Sequence, residues 1–271
     1  MNVLAQSIET KRRRHLGVLE WSEHWNCILT ASKMDGAVHI VDQRASAQAV
    51  STMQTPTKSV ALKWSPDSTK FAIGGRDRCV SIYDVRCLSS RVFKLAFHSS
   101  SIRAISWSPH NHNVLVSGGG ALDQKLCLWN LNAVRPFKAE RSYLDLDCIT
   151  IHRPVKCLRA HSQICDVVWN PFRSEEVVTT HGFDSNDINL WDLQKEQRTN
   201  TLHGHRRRVL FMATAPNKTD IATASSDQQI KLWTVFAPNK RPRSGHELRR
   251  RRRRSDTDTE SDDECGAMHI R

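Results

Sequence analysis

Residues 209–234 read VLFMATAPNKTDIATASSDQQIKLWT, and this stretch decides the fold. An apolar-alternating run ends at Ala-Pro-Asn-Lys, a turn composition. A second run, IATAS, ends in a small-residue corner carrying Asp227. A third closes on Trp233-Thr234. Period-two alternation cut by turn residues predicts three antiparallel strands. Upstream the pattern returns four times: VLEWSEHWNCILTASKMDGAVHIVD (18–42), VALKWSPDSTKFAIGGRDRCVSIYD (60–84), IRAISWSPHNHNVLVSGGGALDQKLCLWN (102–130) and ICDVVWNPFRSEEVVTTHGFDSNDINLWD (164–192).

The closing dipeptides begin at 41, 83, 129, 191 and 233, at spacings of 42, 46, 62 and 42 residues. About 40–45 residues is the period of WD-type repeats, one four-stranded blade per copy. The expectation is an all-β chain, a WD-repeat β-propeller with five recognisable blades. The long spacing marks an insertion near 131–151, LNAVRPFKAERSYLDLDCITI, read as a surface loop because it has no cap or period. The organisation expected is a basic segment at 1–14, blades over 15–237 and a disordered, low-complexity tail at 238–271.

Asp35, Asp77, Asp123 and Asp227 each precede a closing residue by six, and His98, His161 and His205 each precede a first strand. A His, a strand Ser or Thr, the corner Asp and the closing Trp can form one buried hydrogen-bond chain. The best sets are His205, Thr223, Asp227 and Trp233, then His98, Ser117, Asp123 and Trp129. They are read as structural pins rather than a catalytic triad. No G-x-S-x-G elbow occurs, and no enzyme motif stands behind the chain.

Composition bounds the rest. The 271 residues carry 39% hydrophobic residues and 8 Trp, enough to bury a core and to exclude a wholly disordered chain. No 18-residue apolar run exists, and MNVLAQSIETKRRR lacks the pattern of a secretory signal, so no membrane partner is expected. The 8 Cys include no C-x-x-C pair and several sit in apolar runs, so free thiols, no metal and no cofactor are expected. Net charge is +12, but residues 15–237 hold 26 Lys/Arg against 20 Asp/Glu. The extreme charge lies in the tails, and no element for specific nucleic-acid readout is visible.

Four stretches carry a family resemblance: AISWSPHNHNVLVSGGGALDQKLCLWN, AHSQICDVVW, VVTTHGFDSNDINLWDL and LHGHRRRVLFMATAPNKTDIATASSDQQIKLWTVF. They resemble the last three blades of the Fizzy and Fizzy-related coactivators of the anaphase-promoting complex, a ubiquitin ligase. The T-H-G-F corner at 180–183, G-H-x-x-R-V-L at 204–210 and the final Ile270-Arg271 are similar to that family in particular. The divergence suggests a specialised paralogue, such as the insect meiotic branch called Cortex. The resemblance implies a seven-bladed ring, of which five blades are legible, and an N-terminal box, D-R-[YF]-I-P-x-R, of which no copy is present. An isoform or truncated product is the expectation, with a rearranged, self-closed protein as the alternative.

The resemblance also implies degron recognition. For the KEN-type motif, Gln163 and Arg208 keep the family's residue, and Arg208 would bind the degron acid. Arg76 and Arg78 replace two Asn, and Ala121 replaces a Thr. Two arginines would repel a degron Lys. For the destruction box, Gln228 stands where the family has an acid. Ile270 and Arg271 would dock on a tetratricopeptide subunit of the ligase, Ile in an apolar slot, Arg and the terminal carboxylate in charge pairs. Lys240-Arg241-Pro-Arg243 and Arg249–Arg254 suit nuclear import, and Ser255, Thr257, Thr259 and Ser261 each have an acid three residues on. The reading is a non-enzymatic adaptor in nucleus and cytoplasm that brings degron-bearing mitotic or meiotic cell-cycle proteins to the ligase. The alternative is a truncated isoform or generic WD scaffold that docks without delivering substrate.

Overall fold

The structure is a computed structural model that describes residues 16–22, 24–32, 36–42, 49–133, 148–182 and 185–238. Five sheets follow one another along it. The first blade is β1 (Leu16–Ser22), β2 (Cys27–Ser32), β3 (Ala37–Asp42) and β4 (Ala49–Gln54). The second is β5 (Ser59–Trp64), β6 (Lys70–Gly75), β7 (Cys79–Asp84) and β8 (Phe93–Ala96). β9 (Ile102–Trp107), β10 (Val114–Gly119) and β11 (Lys125–Asn130) build the third. A 3-10 turn at Leu131–Ala133 and the strands β12 (Ile149–Ile151) and β13 (Lys156–Arg159) come next. The fourth blade is β14 (Ile164–Trp169), β15 (Glu176–His181), β16 (Ile188–Asp192) and β17 (Gln197–Leu202). The last has three strands, β18 (Val209–Thr214), β19 (Asp220–Ser225) and β20 (Ile230–Thr234). The all-β, five-bladed expectation therefore holds, and the pairing within blades is antiparallel between neighbours in sequence.

The insertion read as a surface loop is corrected at both ends. Besides the 3-10 turn at its start, β12 lies parallel to β8 and gives the second blade a fifth strand, with Ile149 facing Phe93 and Ile151 facing Leu95. Ile-Thr-Ile is β-branched throughout, and it covers an edge that β8 would otherwise leave open. Three residues are too few to display a period. β13 then completes the third blade against β11. Residues 134–147 of the insertion lie outside the described residues, as do the segment 1–14 and the tail from 239 on.

Alternation along each strand gives every blade two apolar faces, and packing proceeds face to face. Ala61, Val80 and Ile82 of the second blade meet Ile105, Trp107 and Leu115 of the third. Ala104, Val116 and Leu126 of the third meet Val167, Trp169 and Trp191 of the fourth. Leu29 and Val38 meet Leu62 and Phe71 between the first and second, and Val178 and Ile188 meet Met212 and Ile221 between the fourth and fifth. Polar links join the inner strands: Lys63 bonds Glu20 at 2.8 Å, Trp107 donates to the Lys63 carbonyl at 3.2 Å, and Asp166 accepts the Met212 N–H at 2.9 Å.

Five blades thus share four apolar cores among the described residues. The two outermost faces keep their apolar side chains without a partner core. Val18 points into the first core, while its neighbours Leu19 and Trp21 are 55% and 40% exposed. On the fifth blade Phe211, Ile230 and Leu232 are 68%, 76% and 77% exposed.

Candidate functional site

One backbone bond recurs in four blades and fixes where the candidate residues lie. The residue after the second strand donates its N–H to the carbonyl just ahead of the first strand. Arg76 bonds Lys58 at 3.2 Å, Gly120 bonds Ser101 at 3.0 Å, Gly182 bonds Gln163 at 3.0 Å and Ser226 bonds Arg208 at 3.0 Å. Each of these four blades therefore presents its corner beside the loop that enters it, on one rim. The corner turns are tight, and each carries a left-handed residue: Gly36, Arg78, Gln124, Asn186 and Gln228, with φ of 72°, 67°, 53°, 54° and 65°. Only the first of these is glycine, so four corners hold a residue with a side chain in the left-handed region at some backbone cost.

Arg76, Arg78 and Ala121 are exposed on this rim, and so is Gln228. Gln163 is buried, its carbonyl engaged by Gly182. Arg208 is half-buried and lies over the Gly182 backbone, where an added Cβ would come within 3.3 Å of its Cδ and Cγ and 3.1 Å of Cys165 Sγ. A side chain at 182 would thus make Cys165 and Arg208 give by a few tenths of an ångström. Burial pushes the Cys165 thiol up to about 11 against the pull of Arg103 and Arg208. Arg103, exposed on β9, is a rim cation that the sequence reading missed; its signal was a lone charge in the inner-strand run Ile-Arg-Ala-Ile. The rim is accordingly basic. Ile270 and Arg271 lie outside the described residues.

Beneath the rim sit the pins. In the third blade Trp129 donates to Ser117 Oγ at 2.8 Å, and Ser117 bonds His98 Nε2 at 2.7 Å. The opposite nitrogen, Nδ1, donates to Asp123. This polarity follows from the Asp123 carboxylate, which is ionised and can only accept. Burial pushes the Asp123 carboxyl up, but the bonds from His98, the Ser99 N–H and the Ser99 hydroxyl outweigh it and hold the group down to about 2. Gly119 makes room for that carboxylate: an added Cβ would lie 1.9 Å from Oδ2. In the fifth blade Trp233 reaches Thr223 at 2.8 Å, Thr223 reaches His205 at 2.9 Å, and His205 reaches Asp227 at 3.1 Å.

The fourth blade builds its pin differently. His161 is exposed, at φ 59°, and belongs to no such chain. The imidazole is His181, at the end of β15. Trp191 donates to Thr179 at 2.7 Å, Thr179 bonds His181 Nε2 at 2.7 Å, and His181 Nδ1 bonds Ser162 at 2.7 Å. Among the described residues no carboxylate ends this chain, and burial, helped by Arg198, lowers His181 to about 4. Ser117, His98 and Asp123 carry the residue types of a hydrolase triad, but Ser117 is fully buried and its oxygen already receives Trp129. It has no face to offer a substrate. Among the described residues no group of three or more His, Cys, Asp and Glu could hold a metal ion.

Two family models match the chain. One, "Eukaryotic translation initiation factor eIF2A", matches residues 30–148, and the other, "WD domain, G-beta repeat", matches 196–234. The first stretch holds strands of three successive blades and carries no functional reading beyond the repeat. The chain is 32% identical over 240 residues to "Cell division cycle 20.4, cofactor of APC complex" of Arabidopsis thaliana, covering 85% of this chain and 49% of that protein. It is 30% identical to "B-type cell cycle switch protein ccs52A" of Medicago truncatula, covering 90% and 46%. It is also 30% identical to "WD repeat-containing protein slp1" of Schizosaccharomyces pombe, covering 82% and 41%. The chain spans about half the length, or less, of these relatives. A chain of the "Crystal Structure of Mitotic Checkpoint Complex" superposes with a TM-score of 0.69 at 28% identity, covering 82% of this chain and 64% of that one.

Proposed function

Over its five blades this chain is a relative of the Cdc20, Fizzy and Fizzy-related proteins, and on that premise we propose that it is a non-enzymatic adaptor of the anaphase-promoting complex, acting in cell-cycle control. The observation that carries this reading is the likeness to APC cofactors over 85% of the chain, with T-H-G-F and G-H-x-x-R-V-L meeting on one rim through Gly182 and Arg208. The adaptor works by presentation. Ile270, Arg271 and the terminal carboxylate dock on a tetratricopeptide subunit, and the rim holds a short segment of the recruited protein. Such a role places the chain in nucleus and cytoplasm.

A specific observation favours a second form of this reading, in which the chain docks but delivers few degrons. Exposed Arg76 and Arg78 stand at the rim positions where the family has neutral amides, and a degron Lys meets like charge there.

The test is association of the full chain with purified ligase. Deleting Ile270-Arg271 is expected to abolish most of it, and so is adding one residue after Arg271. The extension keeps both side chains and moves only the carboxylate. Undiminished co-precipitation by the extended chain overturns terminal docking, and no association by the native chain overturns the adaptor reading.

A further inference from the structure

Two cysteines face each other on the outer edge of the third blade. Cys127 on β11 and Cys157 on β13 are direct partners in antiparallel register, and their Sγ atoms lie 3.7 Å apart. The Ala160 N–H bonds the Gln124 carbonyl at 2.8 Å, so hydrogen-bonded pairs fall at 124/160, 126/158 and alternately onward. Cys127 and Cys157 therefore occupy a non-hydrogen-bonded pair, where Cα atoms sit about 4.5 Å apart and side chains approach closely. That spacing is inside the window that a disulfide spans.

The two thiols differ. Cys127 is fully buried, and Cys157 is exposed on an edge strand. A hydrogen bond from the Cys127 thiol holds Cys157 below the ordinary thiol range, with Lys125 and Arg159 adding to the pull, while the same pairing and burial push Cys127 up. An accessible thiol with a lowered pKa beside a buried partner 3.7 Å away is the arrangement of an attacking and a resolving cysteine.

We propose that Cys157 and Cys127 form a peroxide-sensitive modification site that closes into a reversible cross-strand disulfide. The Cys157 thiolate attacks one oxygen of hydrogen peroxide. The O–O bond breaks, hydroxide leaves and takes up a proton to give water, and Cys157 becomes a sulfenic acid. Cys127 Sγ then attacks Cys157 Sγ, the S–O bond breaks, and the departing hydroxide carries off the Cys127 proton as a second water. Two thiols are oxidised to one disulfide and one peroxide is reduced to two waters. A cellular thiol reductant restores the pair by exchange. The bond staples β13, the last strand of the blade, to β11. β13 also reaches the fourth blade, because Lys156 donates to the Leu193 and Gln194 carbonyls at 3.0 Å each.

The test is peptide mapping of the full native chain after limited peroxide, without reduction. The expected product is a cross-link between the peptides holding Cys127 and Cys157, two hydrogens lighter and reversed by dithiothreitol. Cys127→Ser should leave Cys157 trapped as a dimedone-reactive sulfenic acid, and Cys157→Ser, at an exposed position, should leave Cys127 unoxidised. The cross-link should also slow amide exchange at 156–159. Cross-links dominated by other cysteines, or Cys157 passing straight to sulfinic acid in the native chain, overturn the proposal.

Discussion

Trp191 donates its indole N–H to Thr179 at 2.7 Å, deep between two blades. Thr179 is also the partner of His181 Nε2, so one hydroxyl ties the closing strand to the corner. Thr179→Val keeps the side-chain shape and removes the oxygen. Two buried donors or acceptors then lose their partner, at about 1–3 kcal/mol for each group left unsatisfied. Ser117→Ala should cost a similar amount. Thr223→Val should cost less, because Trp233 is only half-buried. Urea unfolding midpoints at constant slope measure all three.

Acid should destabilise the fold in two stages. His181 is lowered to about 4, below its ordinary 6.5. The unfolded chain takes up a proton below 6.5 that the fold refuses, so stability falls as pH drops from 6.5 towards 4, by up to about 3 kcal/mol. Asp123 is held at about 2 against 3.8. Its contribution is present above 3.8 and is lost as pH falls through 2. Unfolding free energy measured from pH 7.5 to 4 should flatten in His181→Asn. Parallel profiles for variant and parent would show that His181 does not carry the first stage.

The bare outer faces should make the chain sticky. Phe211, Ile230 and Leu232 present a contiguous apolar surface on the fifth blade. Sedimentation should show concentration-dependent association and a broad thermal transition. Phe211→Ser with Leu232→Thr should reduce both that association and the binding of an apolar dye. A monodisperse parent with a sharp, reversible melt would mean these faces are covered in solution.

Degron recognition should respond to the rim charges. A peptide carrying Lys-Glu-Asn should bind the parent weakly. The triple change Arg76→Asn, Arg78→Asn and Ala121→Thr should improve binding about tenfold or more, roughly 1.4 kcal/mol, read by fluorescence anisotropy. Equal binding by parent and variant would place recognition elsewhere than at these corners.

Repetition made the blades legible. Each copy restates the same alternation and turn, four of the five add the corner Asp, and a pattern seen five times overrides local ambiguity. The His98 and His205 chains could be named from spacing because each residue type has one place in the repeat. His181 could not, because Thr-His-Gly-Phe reads as a strand end. Which imidazole fills a buried gap depends on the neighbouring strand, and in the fourth blade Ser162 and Thr179 lie within reach of His181, not of His161.

By itself the sequence determined the all-β class, the blade count and the likeness to a family, since all three rest on patterns local to about forty residues. Tertiary structure decided what depends on residues far apart meeting. It put Ile149–Ile151 beside β8, set Cys127 against Cys157 across 30 residues of chain, gathered Arg76, Ala121, Gln163 and Arg208 on one rim, and left Leu19, Phe211 and Leu232 facing outward. The physical reason is that alternation tells which side chains share a face, while only packing tells what that face meets.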